Sequence, residues 1–341
     1  MGRVEVVNIF DRVLRFFRET APDIRQQRKV AFILLLCQGG ITVSGAIVRV
    51  TGSGLGCVTW PNCHPGSLVP LKGAAPFVHQ MIEWGNRLLT FVVMAAAIAA
   101  VIAMYQARRR TELKVYAWLG VAGVVVQALI GAMSVFLKLN WWAVALHFLP
   151  SMVLVWIAAM LFVRISEPDH GHPTRLIPQS LRTLGVIATV ALAVVLMTGT
   201  MVTGSGVHSG DAGAGMEGRL DVDTQAMAVA HAVCMYIYLL ATVILVIMLY
   251  RTKAPQPAKT AGLWLIAVIV IQWAIGVFQF YQHIPRWTVP IHIGFASIVT
   301  AWTAILWAHG YRRVAKNAAL VTGSQAGDRK REKSSQRVND H

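Results

Sequence analysis

The sequence predicts an all-α membrane protein, with eight transmembrane helices forming two parallel, pseudosymmetric four-helix bundles and both termini cytoplasmic. Three observations predict it. Eight apolar stretches are long enough to cross a bilayer. Basic residues fall in every second connection. A pattern of Gln, Gly, Trp and His recurs 145 residues along the chain. Composition agrees: of 341 residues, 56% are hydrophobic and 13% charged, against ~25% charged in soluble domains.

Residues 1–29 form a cytoplasmic segment with seven Lys/Arg, in which Val6, Phe10, Val13, Leu14 and Phe17 lie opposite Arg12, Arg15 and Arg18. That pattern predicts a helix lying on the inner membrane surface. The spans follow at 30–50, 84–105, 115–136 and 142–163, which make an N-terminal half over 30–163. A cytoplasmic linker, 164–182, leads to spans at 183–203, 225–250, 261–280 and 287–309, a C-terminal half over 183–310. Residues 311–341 read as a disordered, basic cytoplasmic tail. The expected inner connections and tail hold 25 of the 31 Lys/Arg. The net charge of +16 is therefore topology, and no nucleic-acid partner is expected. The six remaining are Arg49, Lys72, Arg87, Lys138, Arg219 and Arg286.

Gln127-Ala-Leu-Ile-Gly131 recurs as Gln272-Trp-Ala-Ile-Gly276, Trp142 as Trp287, and His147 as His292, all without a gap. The same offset carries Asn86 onto His231, while Val50-Thr-Gly-Ser-Gly54 matches Val202-Thr-Gly-Ser-Gly206 at 152. Each half starts and ends on the inner side, so the repeats are parallel.

Histidine is costly inside a membrane span and suggests function. His147 and His292 each follow a tryptophan by five residues, about 7.5 Å down a helix. His231 lies at a similar depth on the sixth span. Opposed imidazoles on helices of one bundle can hold a haem axially, so His231 and His292 are candidate ligands. Zinc is disfavoured, because no further ligands cluster nearby to complete four.

The halves differ chemically. The first keeps Glu83, Asn86, Arg87, Arg49 and one histidine, His147; the second has Ala228, His231, Ala232 and Met201 at the corresponding places. An apolar second half suits a fixed cofactor. The first suits an exchangeable charged substrate and proton transfer. Glu83 and Arg87 are also spaced to pair with each other, and both arginines fit interfacial anchors. Cys57 and Cys63 flank five residues of the first outer loop, where a disulfide or a redox-active pair would fit. Cys37 and Cys234 lie in spans and read as packing residues.

With these residues in view, the chain resembles the haem A synthase family over about residues 30–310. The likeness rests on Gly-Ala-Ile-Val-Arg49-Val-Thr-Gly-Ser-Gly-Leu-Gly-Cys57, Trp60-Pro61 and Cys63, on Ile-Glu83-Trp-Gly-Asn86-Arg87, and on His147, His231 and His292. The resemblance implies a membrane oxidoreductase that converts haem O to haem A, taking the C8 methyl to a formyl group by successive hydroxylations with water-derived oxygen. It implies a resident haem b ligated by His231 and His292. It also implies a substrate site using Glu83, His147 and the Asn86 position, with His147 on the substrate iron. Two departures stand out. Many family members have His where this chain has Asn86, and many carry a second Cys pair in the loop over 203–224, which here has none and instead reads Gly-Val-His208-Ser-Gly-Asp211.

These features give the working expectations. Glu83 accepts protons during methyl oxidation, and Arg49 and Arg87 bind haem propionates by charge-assisted hydrogen bonds. The protein sits in the plasma membrane with its haem sites toward the outer leaflet. Its partners are haem O and an unidentified membrane electron acceptor; association with a haem O synthase and a homo-oligomer are both compatible with the reading. The competing assignment is a cytochrome b-like electron carrier from quinol. Two fixed bis-His sites would favour it, and Asn86 counts against it.

Overall fold

The computed structural model describes residues 21–206 and 218–315. The expected surface helix at 4–18, the tail beyond 315, and His208, Asp211 and Glu217 lie outside the described residues. Within them are eight helices long and apolar enough to cross a membrane. They are α1 (Ile24–Val50), α2 (Phe77–Gln106), α3 (Thr111–Phe136), α4 (Trp141–Arg164), α5 (Gln179–Ser205), α6 (Thr224–Arg251), α7 (Gln256–Tyr281) and α8 (Thr288–Ala308). The chain is a multi-pass membrane protein.

Most helices run past the expected apolar spans. Helix α1 begins at Ile24 rather than 30 because Asp23 and Gln26 close a capping box, with Gln26 N–H donating to Asp23 Oδ1 at 2.7 Å. The cap starts a polar turn that hydropathy does not detect. Asp223 caps α6 similarly, accepting from Ala226 N–H at 2.6 Å. The turns after α3 and α7 are alike: Lys138-Leu139 and His283-Ile284, 145 residues apart, all take positive φ between 50° and 58°. Such left-handed residues end a helix abruptly and are rare outside glycine.

Two apolar cores form, one among α1–α4 around Leu34, Ala97, Met104 and Leu161, the other among α5–α8 around Leu192, Tyr238, Leu265 and Ile269. A third cluster joins the halves, where Val155, Ala159 and Met160 of α4 meet Ala301, Ala304 and Ala308 of α8. Small side chains permit close helix approach where lipid offers no hydrophobic drive. Toward the middle of this seam Thr42 Oγ1 and Ser297 Oγ share a hydrogen bond of 2.9 Å, against Met152. Large apolar side chains such as Phe91 and Val153 stay exposed, as a lipid-facing surface requires.

At one end of the bundle buried arginines knit the connections together. Arg109 donates to Gln27 Oε1 (2.6 Å), Asp169 Oδ1 (2.9 Å) and the carbonyls of Ile165 and Glu167. Arg164 reaches Glu167 Oε1 (2.6 Å) and Tyr311 O (2.8 Å). Here the structure corrects an expectation. Residues 311–314, assigned to a disordered tail, form β2 (Tyr311–Val314), antiparallel to β1 (His172–Arg175) within the linker, with His172 opposite Val314. The pairing is possible because Gly171, at φ +114°, lets the chain pass where a Cβ would sit 1.9 Å from Val314 O. Arg313 then donates to Gly171 O at 2.9 Å.

Burial pushes the Asp169 carboxyl up, but the Arg110 backbone N–H and the guanidiniums of Arg109 and Arg110 outweigh it and hold it below the ordinary carboxylate value. A depressed folded-state value stabilises the fold at neutral pH and loses that stabilisation as pH falls below the unfolded value near ~3.9. Asp169→Asn is therefore expected to cost about 1 kcal/mol at neutral pH. The gap between parent and variant should close under acid, read as thermal unfolding in detergent across that range.

Candidate functional site

The opposite end carries the sequence features that break the repeat. After α1 the chain turns through Gly52 at φ +67° and lays Gly54 and Gly56 against other backbone and side chains. A Cβ on Gly56 would lie 2.6 Å from His79 O and 2.7 Å from Gln80 N, both main-chain atoms that cannot step aside. Gly56 is thus what allows the loop to seat on the start of α2. Gly56→Ala is expected to lift the loop and cost roughly 1–3 kcal/mol. Faster labelling of Cys57 and Cys63 after mild reduction, together with a lower melting temperature, would show it.

The seated loop brings four of the expected residues into one cluster. Cys57 and Cys63 are disulfide-bonded and fully buried, the first of the two alternatives the spacing allowed. Cys57 N–H donates to Glu83 Oε2 at 2.8 Å, and Arg87 Nη2 donates to Glu83 Oε1 at 2.5 Å. The remaining donors of Arg87 go to loop carbonyls: Thr59 O (2.9 Å), Asn62 O (3.1 Å) and Cys57 O (3.2 Å). Arg87 was expected to face a propionate; here its rigid fork of donors is engaged by the loop and by Glu83. The i,i+4 pairing is the arrangement present, with Glu83 only 5% exposed.

Arg49, near the end of α1, donates to Thr203 O of α5 at 3.0 Å and so spans the two halves. Asn86 accepts from Ser44 Oγ at 2.6 Å through Oδ1, and its amide nitrogen carries two N–H donors.

Sequence reasoning missed Gln80. It is fully buried, and its side chain accepts from Leu71 N–H and donates to Leu71 O and Ala75 O, with Oε1 also 2.8 Å from His64 Nε2. Its partners are mostly main-chain groups of a folded-back loop, and a sequence gives no signal of those. His79 is held likewise, Nδ1 2.8 Å from Ser53 Oγ.

The span histidines share one local design. Each ring packs on a glycine of a neighbouring helix: a Cβ on Gly131 would lie 3.3 Å from Cε1 of His147, on Gly199 3.2 Å from Cε1 of His231, and on Gly276 3.4 Å from Cε1 of His292. His231 and His292 are brought together, with ring centroids 6.5 Å apart and planes at 60°. Thr198 Oγ1 lies 3.0 Å from Nδ1 of His231. Nδ1 of His292 and Nδ1 of His147 are buried without a partner. His147 stands on α4, and among the described residues its ring hydrogen-bonds to none of Glu83, Asn86 or Arg87.

Comparison with known proteins adds the following. The model of a family described as "Cytochrome oxidase assembly protein" (COX15-CtaA) matches residues 28–304. The chain is 30% identical over 164 residues to "Heme A synthase" of Exiguobacterium sibiricum, covering 48% of this chain and 54% of that one. It is 32% identical over 166 residues to "Heme A synthase" of Lysinibacillus sphaericus (48% and 53%). To that of Listeria welshimeri it is 32% identical over 148 residues (42% and 47%). In these alignments the chain spans about half the length of the curated relatives it matches.

Proposed function

The chain belongs to the COX15-CtaA family of cytochrome oxidase assembly proteins, the haem A synthases, and from that premise we propose that it oxidises the C8 methyl of haem O to a formyl group. The oxygen comes from water, so the balance is methyl plus water going to formyl, four protons and four electrons. A membrane acceptor takes the electrons.

The observation that carries the proposal is the facing pair His231 and His292. Two metal–imidazole bonds of about 2 Å each plus the two ring radii come to about 6 Å, close to the 6.5 Å between these centroids. The Thr198 contact at Nδ1 of His231 leaves Nε2 of that ring as the ligating nitrogen. The residues present therefore fit a bis-His haem b between α6 and α8. When bound, such a haem supplies a one-electron acceptor inside the bilayer.

The remaining roles belong to the first half. His147 holds the iron of the substrate haem, and Gly131 leaves room for its ring. Asn86, fixed by Ser44, orients the substrate by donating its amide N–H. Arg49 pairs with a propionate. Arg87 acts chiefly as the clamp that holds the Cys57–Cys63 loop against α2. Glu83 takes protons released as the methyl is oxidised, and each proton it accepts competes with Arg87 for Oε1. Proton uptake and loop clamping are thereby coupled.

The test is to co-express the chain with a haem O supply in cells lacking haem A, extract the haems and separate them by chromatography. Appearance of hydroxylated haem O and haem A is the expected result. A haem b spectrum with haem O wholly unmodified would overturn the proposal in favour of an electron carrier.

A further inference from the structure

Among the described residues seven buried side-chain nitrogen and oxygen atoms lack a hydrogen-bond partner, and four of them form two repeat-related pairs. They are Gln127 Oε1 with His147 Nδ1, and Gln272 Oε1 with His292 Nδ1. Each pair joins an acceptor without a donor to a ring nitrogen that can donate. The amide nitrogens are already anchored at the histidines. Gln272 Nε2 donates to His292 O at 3.0 Å. Gln127 Nε2 donates to Ser151 Oγ at 2.6 Å, and that hydroxyl donates to His147 O at 3.0 Å. Ala296 occupies the position of Ser151 in the second half, so the glutamine there reaches the carbonyl directly. Four residues on from each glutamine, Gly131 or Gly276 leaves its histidine ring free of side-chain crowding.

We propose that Gln127 and Gln272 are positioning residues that accept the Nδ1–H of His147 and His292 when these rings ligate through Nε2. Closing this bond satisfies both orphaned atoms at once, which a buried pair strongly favours. It fixes the tautomer and makes the imidazole a stronger donor to a metal. Thr198 serves His231 in the same way, so each span histidine has a dedicated partner on a neighbouring helix. The inference rests on the haem reading above.

The experiment is redox titration of the resident haem b in the purified, haem-loaded chain, with its low-spin spectrum recorded alongside. Gln272→Leu removes the acceptor, weakens the ligand's basicity and is expected to raise the midpoint potential. Gln272→Glu strengthens the acceptor and is expected to lower it. Gln127→Leu should leave the potential of this haem unmoved. If Gln272→Leu fails to retain haem, the sign of the Gln272→Glu shift decides alone. Two Gln272 variants with the parent's potential, or shifted in the same direction, overturn the inference while leaving the haem reading intact. A parent chain that holds no haem b overturns that reading itself, and the inference with it.

Discussion

On the proposed ligation, His292→Ala is expected to remove the low-spin haem b spectrum entirely, and His231→Ala to do the same. Each loss follows from the same geometry. The two rings face one another across 6.5 Å, and neither neighbouring helix offers a substitute: Gly199 and Gly276 lie against the rings. With one imidazole gone the iron would keep a single protein ligand. The expected optical change is the loss of the sharp reduced bands in membranes containing normal amounts of protein. Persistence of those bands in both variants would refute the ligand assignment. His147→Ala, by contrast, should leave them in place and abolish conversion of haem O.

Glu83→Gln is expected to lower haem A formation by about 10²-fold or more, the usual yield of a positioned proton acceptor. The amide keeps the shape and still accepts from Cys57 N–H, but it cannot take a proton and loses the charge facing Arg87. Two further readouts separate chemistry from collapse. The Cys57–Cys63 disulfide should remain formed, and the haem b spectrum should be unchanged. A variant making haem A at the parent rate would show that Glu83 serves only to hold the loop.

The eight spans were legible because lipid demands long apolar runs, and the offset of 145 was legible because Gln, Gly, Trp and His recur in register. That offset extends to backbone conformation, in the left-handed pairs at 138–139 and 283–284, which no residue type announces. Helix ends were less legible: the polar turn beginning at Ile24 and the early start of α2 at Phe77 depend on capping and on a loop that folds back. The cluster at Glu83 was half legible. The types and spacing of Glu83 and Arg87 marked the place, but three of the acceptors around Arg87 are main-chain carbonyls, equivalent in every sequence. The strand pair was hidden for a related reason, since β1 and β2 are short, polar and far apart along the chain.

That strand pair has a kinetic consequence. His172 and Val314 enclose all of α5–α8 between them, so joining them closes a very long loop, at a cost of about 4 kcal/mol. Four residue pairs cannot offset that by themselves. The helices between must already be assembled when the strands meet, which makes β1–β2 a latch that snaps shut late in folding rather than a nucleus that starts it.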